Sequence, residues 1–318
     1  MVGRSSAGRQ ILTTDQISAS RRRYWAGLCL VLLACALLSI ISTFARLAYE
    51  SGATPTTLLW LRFVSFIAVV GAYYLCRRRS LMLHRRYLAS SGIMALGMLM
   101  NSIGYLGSVA YIKIGLSIVL FYTFPIMTLI LSAAIRVERP TPAKILCLLA
   151  AFGGVLLASY HNIGSAFDWR GVALILVGAI GFAVAIVFGN RGMRGASPLT
   201  MNFWMNVWMA FVMSGLMTLP AATAMLGAFV WPTGATAWFG TVAATGCYIL
   251  GFSCFFAAVQ LLPPSQTGIM MNLEPLIATT AAMLVLGETT YREQWVGMGI
   301  IVIALACSSL FAARQTAA

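Results

Sequence analysis

Apolar runs of about twenty residues, the length that spans a bilayer, make up most of this sequence. They are separated by short polar stretches in which most of the arginines lie. Hydrophobic residues account for 60% of the 318 residues and charged residues for only 9%, whereas soluble domains contain about 25% charged residues. We therefore expect an all-α integral membrane protein, in which ten transmembrane helices use up nearly the whole chain.

The ends of the apolar runs place these helices. Residues 1–24 are polar and rich in Ser, Thr and Arg, and are expected to form a disordered cytoplasmic N-terminal tail. The first apolar run continues to Ala48 without a clean cleavage site, so it is interpreted as an uncleaved first helix. The ten helices are expected at about 25–48, 57–76, 87–110, 116–137, 142–159, 169–190, 198–219, 235–260, 266–288 and 294–313.

The ninth run, Gln266 to Glu288, contains an acid and a proline side by side, Glu274 and Pro275. A carboxylate at membrane depth costs about 2.5–3.5 kcal/mol on insertion scales, so it should face protein or a water-filled cavity. Proline removes a backbone donor and crowds the carbonyl four residues earlier. This run therefore predicts a kinked helix with a polar group facing inward.

The same design recurs 150 positions earlier. That offset aligns Pro125 with Pro275, Ser117 with Thr267 and Glu138 with Glu288, whereas Glu274 aligns with Phe124. The chain is therefore predicted to be two five-helix repeats, residues 25–160 and 168–313, with the acid in only one of them. A repeat with an odd number of helices is inverted in the membrane when it is duplicated.

Charge orients this array. With the N-terminus inside, sixteen of the 21 Lys and Arg would lie on the cytoplasmic side and four on the other, with Arg62 inside a helix. This bias predicts a multi-pass protein of the cell (inner) membrane with both termini cytoplasmic. It also accounts for the net charge of +14 without a nucleic-acid partner.

Two stretches carry a resemblance to a known family: FYTFPIMTLILSAAIRVERPTPAKILCLLAAFGGVLL and NLEPLIATTAAMLVLGETTYREQWVGMGIIVIAL. The sequence resembles the drug/metabolite transporter superfamily, specifically its EamA-like branch. The most specific part is the pair Glu274-Pro275, followed by Leu286-Gly287-Glu288 and a glycine-rich helix. The first half departs from the pattern at Phe124 and Val137.

The resemblance implies a secondary transporter that works by alternating access, with helices 3, 4, 8 and 9 around a central cavity. Members move amino acids, other metabolites or drugs, often outward, across the lipid bilayer. Protons are a candidate coupling ion, because a carboxylate buried at Glu274 could take up and release one. No cofactor or metal is expected, and no enzymatic activity.

Polar groups on the four central helices are the candidate site. Asn101 and Tyr105 are spaced i, i+4 and share a face of helix 3. Amide and phenol groups of this kind can orient a small polar substrate between apolar walls, although each alone is more often a packed core residue. The predicted substrate-binding residues are Glu274, Asn101, Tyr105, Tyr122, Tyr248, Thr267 and Met271, and the predicted gating residues are Pro125 and Pro275.

Alternatives remain at this stage. Glu274 is equally consistent with a structural hydrogen bond, and Arg62, the obvious counter-charge, is expected to snorkel to the interface or cap its helix. An intramembrane enzyme acting on a lipid or small molecule through Glu274 is the main alternative function. A channel should show rings of repeated polar groups, whereas here the polar positions are few and asymmetric.

The predicted topology can be tested by labelling. Arg78 should face the cytoplasm and Thr290 the opposite side, because the two halves are inverted. Single cysteines at these positions, in a cysteine-free background, should react with a membrane-impermeant maleimide from opposite sides. Reaction of both from the same side would rule out the inverted repeat.

Overall fold

The computed structural model describes residues 14–109, 111–112, 114–160, 168–277, 280 and 291–317. These residues form α-helices joined by turns and short loops, with no β-strand among them. Part of the predicted ninth helix, including Leu286, Gly287 and Glu288, lies outside the described residues, as does Thr290.

The helices follow the predicted apolar runs closely. Proline at the first helical position starts α2, α6, α8 and α11, where its missing donor is not needed. The helices are α1 Thr14–Glu50, α2 Pro55–Cys76, α3 Arg85–Val109, α4 Ile114–Phe121, α5 Phe124–Ala134, α6 Pro142–Ala158, α7 Trp169–Met193, α8 Pro198–Leu216, α9 Pro220–Leu226, α10 Ala235–Leu261, α11 Pro264–Met270 and α12 Arg292–Ala317.

Six helical stretches in the described residues are long and apolar enough to cross a membrane: Arg22–Glu50, Pro55–Cys76, Leu116–Ala134, Trp169–Met193, Ala235–Leu261 and Arg292–Phe311. The expected all-α membrane protein is thus confirmed as a fold class. The third of these stretches contains the break between α4 and α5.

Two local expectations are corrected. The helix α1 begins at Thr14, so the end of the expected disordered tail is helical. The buried side chain of Tyr24 fixes this extension, because its hydroxyl donates to the Ser309 carbonyl of α12 at 3.1 Å. The seven-residue helix α9, Pro220–Leu226, was not expected, because a helix of about two turns is too short to show a clear periodic pattern.

Helix packing follows a twofold pattern. The most extensive contacts join α1 to α10 and α3 to α7, which are the same pair of helices in the two predicted repeats. Helices at equivalent positions in the two halves also contact each other, since α6 packs against α12 and α2 against α8. The two broken helices contact each other through α5 and α11. This pattern supports the duplication inferred from the 150-residue offset.

Glycines let the largest helix pairs approach closely. A Cβ at Gly181 of α7 would lie 2.5 Å from the carbonyl oxygen of Gly97 in α3. In the same way, a Cβ at Gly240 of α10 would lie 2.9 Å from the Phe44 carbonyl oxygen, and one at Gly154 of α6 would lie 2.8 Å from that of Gly297. Backbone contact of this kind is the usual source of helix association in membranes, where there is no hydrophobic driving force between helices.

We predict that Gly181→Ala destabilises the protein by about 1–3 kcal/mol, the usual range for overpacking, because α3 and α7 must move apart. Gly153→Ala is the matched control, since Gly153 is exposed on α6 and a Cβ there would meet nothing within 4 Å. Thermal unfolding of both variants in detergent measures the difference. Equal transition temperatures would mean that the α3–α7 contact tolerates a methyl group.

Candidate functional site

Two helices are interrupted at equivalent points of the repeats. In the first half, a turn at Tyr122 and Thr123 separates α4 from α5. In the second half, a turn at Met271 and Asn272 follows α11, and residues 273–277 are helical again. The expected bends near Pro125 and Pro275 are therefore present, and each is a break rather than a smooth kink.

The second break is completed by α1. Its buried Cys35 thiol lies 3.5 Å from the Met270 carbonyl oxygen, and the Ser39 hydroxyl, one turn later, donates to the Glu274 carbonyl at 3.2 Å. The side-chain amide of Asn272 donates to the Ile269 carbonyl at 2.9 Å. These bonds satisfy carbonyl groups that a continuous helix would have satisfied itself.

Glu274 is half-buried at this break. The Tyr122 hydroxyl interacts with its carboxylate. The Tyr105 hydroxyl and the Cys35 thiol are close enough to interact with it electrostatically. No Lys or Arg side chain of the described residues contacts this carboxylate.

The other predicted residues near the breaks have structural contacts. The Thr267 hydroxyl donates to the Pro263 carbonyl of its own chain segment at 3.3 Å, and Thr267 is fully buried. The buried Met271 places its sulfur 3.6 Å from the Cys35 sulfur. Pro125 packs against Gly268 of α11, so the two broken helices touch beside their breaks.

Helix α3 contributes unevenly. Tyr105 is half-buried, interacts with Glu274 and packs edge-on against the Phe121 ring at 5.8 Å. Asn101 is also half-buried, and its backbone lies against α7 at Gly178 and Gly181. Of the predicted polar cluster, the structure therefore brings Tyr105 and Tyr122 to Glu274.

Tyr248 belongs to a second cluster, on α2, α8 and α10. Its hydroxyl donates to Asn206 Oδ1 at 2.9 Å, and its ring lies 4.7 Å from the Arg62 guanidinium carbon. Arg62 also lies over the Phe63 ring at 5.2 Å, and its Nε is buried. The expectation that Arg62 snorkels to the interface is therefore wrong, because its guanidinium packs on an interior aromatic ring.

An aromatic array runs between the two clusters. Ring centroids are separated by 4.8 Å from Tyr248 to Phe252, 6.0 Å from Phe252 to Phe255, and 5.6 Å from Phe255 to Phe182. Phe182 then lies 4.8 Å from Phe124, which packs on Tyr122 at 5.9 Å. A row of buried apolar rings thus connects the two polar clusters.

One end of the bundle is tied across the two halves. Glu138, at the end of the α5 segment, accepts a bond from Lys144 Nζ at 2.5 Å and another from the Ser265 backbone N–H at 3.1 Å. The Ser265 hydroxyl also donates to it. Because Ser265 lies in the first turn of α11, the carboxylate also interacts favourably with the positive end of that helix.

The apolar helices pack together, and two of them are broken at matching points of an apparent duplication. One of these breaks holds a half-buried carboxylate. These features define a polytopic membrane transporter. The chain belongs to the EamA-like transporter family, whose model matches residues 25–160 and 169–310. This match confirms the family resemblance that the two quoted sequence stretches indicate.

Relatives of this chain are also transporters. It is 26% identical over 217 residues to the threonine/homoserine exporter RhtA of Escherichia coli (strain K12), covering 68% of this chain and 69% of that protein. It is 24% identical over 203 residues to the uncharacterized inner membrane transporter YedA of the same strain, covering 62% of each. A solved crystal structure shares the fold, with a TM-score of 0.74 over 91% of this chain and 98% of its own, at 18% identity.

Sequence reasoning missed Cys35 and Ser39 of the first cluster and Asn206 of the second. Cys35 and Ser39 are four residues apart on a helix, which places them on one face, but short polar side chains in an apolar helix give no distinctive signal. The Tyr248 bond gives Asn206 its place in the second cluster.

Proposed function

We propose that this protein is a secondary transporter that exports a small amino-acid-like or drug-like metabolite by alternating access. The observation that carries the proposal is the half-buried Glu274 carboxylate at a helix break, which has the Tyr122 hydroxyl beside it and no Lys or Arg partner among the described residues. A charge held at membrane depth without a cationic partner is energetically unfavourable unless it serves substrate or ion movement. Glu274 would bind an ammonium group of the substrate, a proton, or each in turn.

The substrate class follows from the relatives and the walls of the site. Threonine and homoserine are named as the cargo of RhtA, and both carry an ammonium group that a carboxylate can bind. The buried rings of Phe124, Phe182 and Phe255 make the protein beside this site apolar, so an uncharged part of the molecule would find apolar neighbours there. Outward transport is the direction that RhtA, an exporter, suggests.

Differences in burial between equivalent segments support alternating access. All seven residues of α11 are buried, whereas in the equivalent α4 the side chains of Leu116, Ile118 and Phe121 are half-exposed. After the breaks the pattern reverses, because Phe124 and Pro125 are buried whereas Glu274 and Pro275 are half-exposed. Two inverted halves in unequal conformations are what an alternating-access carrier requires, with Pro125 and Pro275 at the moving points.

The end that carries Glu138 and Ser265 is then the closed one. The positive-inside bias assigns that end to the cytoplasm, so the structure would represent an outward-facing state. Opening the cytoplasmic side would require the Glu138 carboxylate to release Ser265 at the start of α11.

Glu274→Gln tests the central role. It preserves shape and hydrogen bonding but cannot ionise, so we expect pH-dependent transport in the parent and transport that is lost or insensitive to pH in the variant. Counterflow of labelled threonine and homoserine in proteoliposomes, over a series of pH values, measures this.

Tyr122→Phe should lower the rate by about 10- to 150-fold, because the carboxylate would lose a polar contact and a hydrogen bond to a charged group contributes about 1.5–3 kcal/mol.

Tyr111→Phe is the control for Tyr122→Phe, because Tyr111 is exposed and remote from the carboxylate. Unchanged transport by Glu274→Gln across the pH range, with normal membrane abundance, would leave Glu274 as a structural hydrogen-bonding group. Chemical conversion of a bound compound without flux would instead favour the intramembrane enzyme.

Glu138→Gln tests the closed end. Loss of the charge-assisted bonds to Lys144 and Ser265 should favour the opposite state by about tenfold, given about 1.5–3 kcal/mol for such bonds. A cysteine replacing the buried Thr267, in a cysteine-free background, should then react faster with an impermeant maleimide applied from that side. Arg139→Gln, at an exposed neighbouring position, is the control for the altered loop charge. An unchanged labelling rate would show that Glu138 does not hold this face closed.

A further inference from the structure

We propose that Arg62 binds a carboxylate group of the transported compound, in a subsite formed by α2, α8 and α10. This rests on the proposed function, since it names the substrate as an amino acid or another small carboxylate. Neither the family match nor the relatives assign a role to this arginine.

The guanidinium of Arg62 lacks an acceptor. Its carbon lies over the rings of Tyr248 and Phe63 at 4.7 and 5.2 Å, so aromatic faces cover the flat side of the group. The N–H groups at its edge have no hydrogen-bond acceptor or carboxylate among the described residues, and the Nε is buried. A buried cation without a partner is strongly unfavourable, which indicates that a partner arrives from outside the chain.

Part of the Arg62 side chain remains accessible. Arg62 is only half-buried, as Glu274 is, so a solute can reach part of its surface. Its stem leaves α2 seven residues after the first residue of that helix, Pro55, and the guanidinium reaches the middle of α10 at Tyr248. The charge therefore lies within the bundle rather than at its end.

The other unsatisfied polar atoms of this cluster are also donors. The Asn202 amide nitrogen is buried without a partner one turn from Asn206, and the Thr245 hydroxyl is buried without a partner three residues before Tyr248. Asn206 Oδ1, an acceptor of this cluster, already accepts from Tyr248. A cluster with surplus donors and one cation calls for an anionic group rich in acceptors.

A carboxylate fits better than a phosphate. The fork of N–H groups on a guanidinium matches the two oxygens of a carboxylate. A phosphate ester carries up to two charges, whereas Arg62 is the only cation in the described part of this cluster. The carboxylate of Glu274 lies in the other cluster, beyond the aromatic array, and does not neutralise Arg62.

Chemical protection of the unmodified full-length protein in proteoliposomes tests the subsite directly. Phenylglyoxal, which reacts with arginine, should modify Arg62, and L-threonine should slow this reaction at least fivefold, whereas L-threoninamide should not. Arg77 is the internal control, because it also lies over a tyrosine ring, Tyr73, but is exposed at the end of its helix. Peptide mass spectrometry measures both sites in one sample.

Three results would overturn the subsite. Equal protection by threonine and threoninamide would show that the carboxylate is not recognised. Protection by chloride as strong as that by threonine would show a general anion site. An Arg62 that fails to react while Arg77 reacts would show that no open space reaches the guanidinium.

Transport selectivity gives a second test. In competition with labelled threonine, unlabelled threonine should be at least tenfold more effective than threoninamide in the parent protein. Arg62→Gln should abolish this preference, Arg62→Lys should retain part of it, and Arg77→Gln should leave it unchanged. A preference that persists in Arg62→Gln would refute the assignment.

The two tests also separate this inference from the proposed function. If the parent protein transports neither threonine nor homoserine, the amino-acid form of the proposed function fails, whereas protection of Arg62 by carboxylates still decides the subsite. If transport is normal but Arg62 is neither protected nor selective, the transporter stands and the subsite fails.

Discussion

Backbone satisfaction at the second helix break is the constraint on which the site depends. In hydrocarbon each unpaired N–H or C=O costs several kcal/mol, so a broken helix is tolerated only where protein covers it. Here the cover comes from α1, which brings Cys35 to the Met270 carbonyl and Ser39 to the Glu274 carbonyl. The position of α1 is fixed in turn by its close contact with α10, where Gly240 lies against the Phe44 carbonyl. A packing contact between two helices thus decides whether a carboxylate can be held at the break.

The two breaks solve the same problem differently. In the first half, the Thr123 hydroxyl donates to the Leu120 carbonyl, so the break is satisfied within its own segment. Phe124, which stands where the second half has Glu274, then joins the aromatic array against Phe182. The duplicated architecture supplies two equivalent breaks, and the substitution of phenylalanine for glutamate makes one an apolar wall and the other a polar site. The two halves therefore share a fold and differ in chemistry at a few residues.

Sequence patterns predicted the helices and the breaks because their causes are local. Apolar runs of bilayer length specify helices, and Glu274-Pro275 alone indicated an interrupted, inward-facing segment. The directions of side chains across the bundle depend on packing between distant segments, and here prediction failed. Arg62 was expected at the interface because a long stem permits it, and only the position of Tyr248 on α10 shows the inward orientation. For Thr267, a predicted site residue, the sequence did not indicate that its hydroxyl would donate to the Pro263 carbonyl.

The separation of the two interior charges has a physical consequence. An ion pair between Arg62 and Glu274 would have neutralised both, and neither would then distinguish a loaded carrier from an empty one. Kept in different clusters, each charge interacts with a tyrosine but lacks a counter-ion among the described residues. A ligand can shift a conformational equilibrium only by its difference in affinity for the two states. On the proposed function, a substrate or proton that neutralises these charges binds most strongly in the conformation in which the charges are accessible. The difference in binding free energy between the two conformations is the free energy available to drive the change of state.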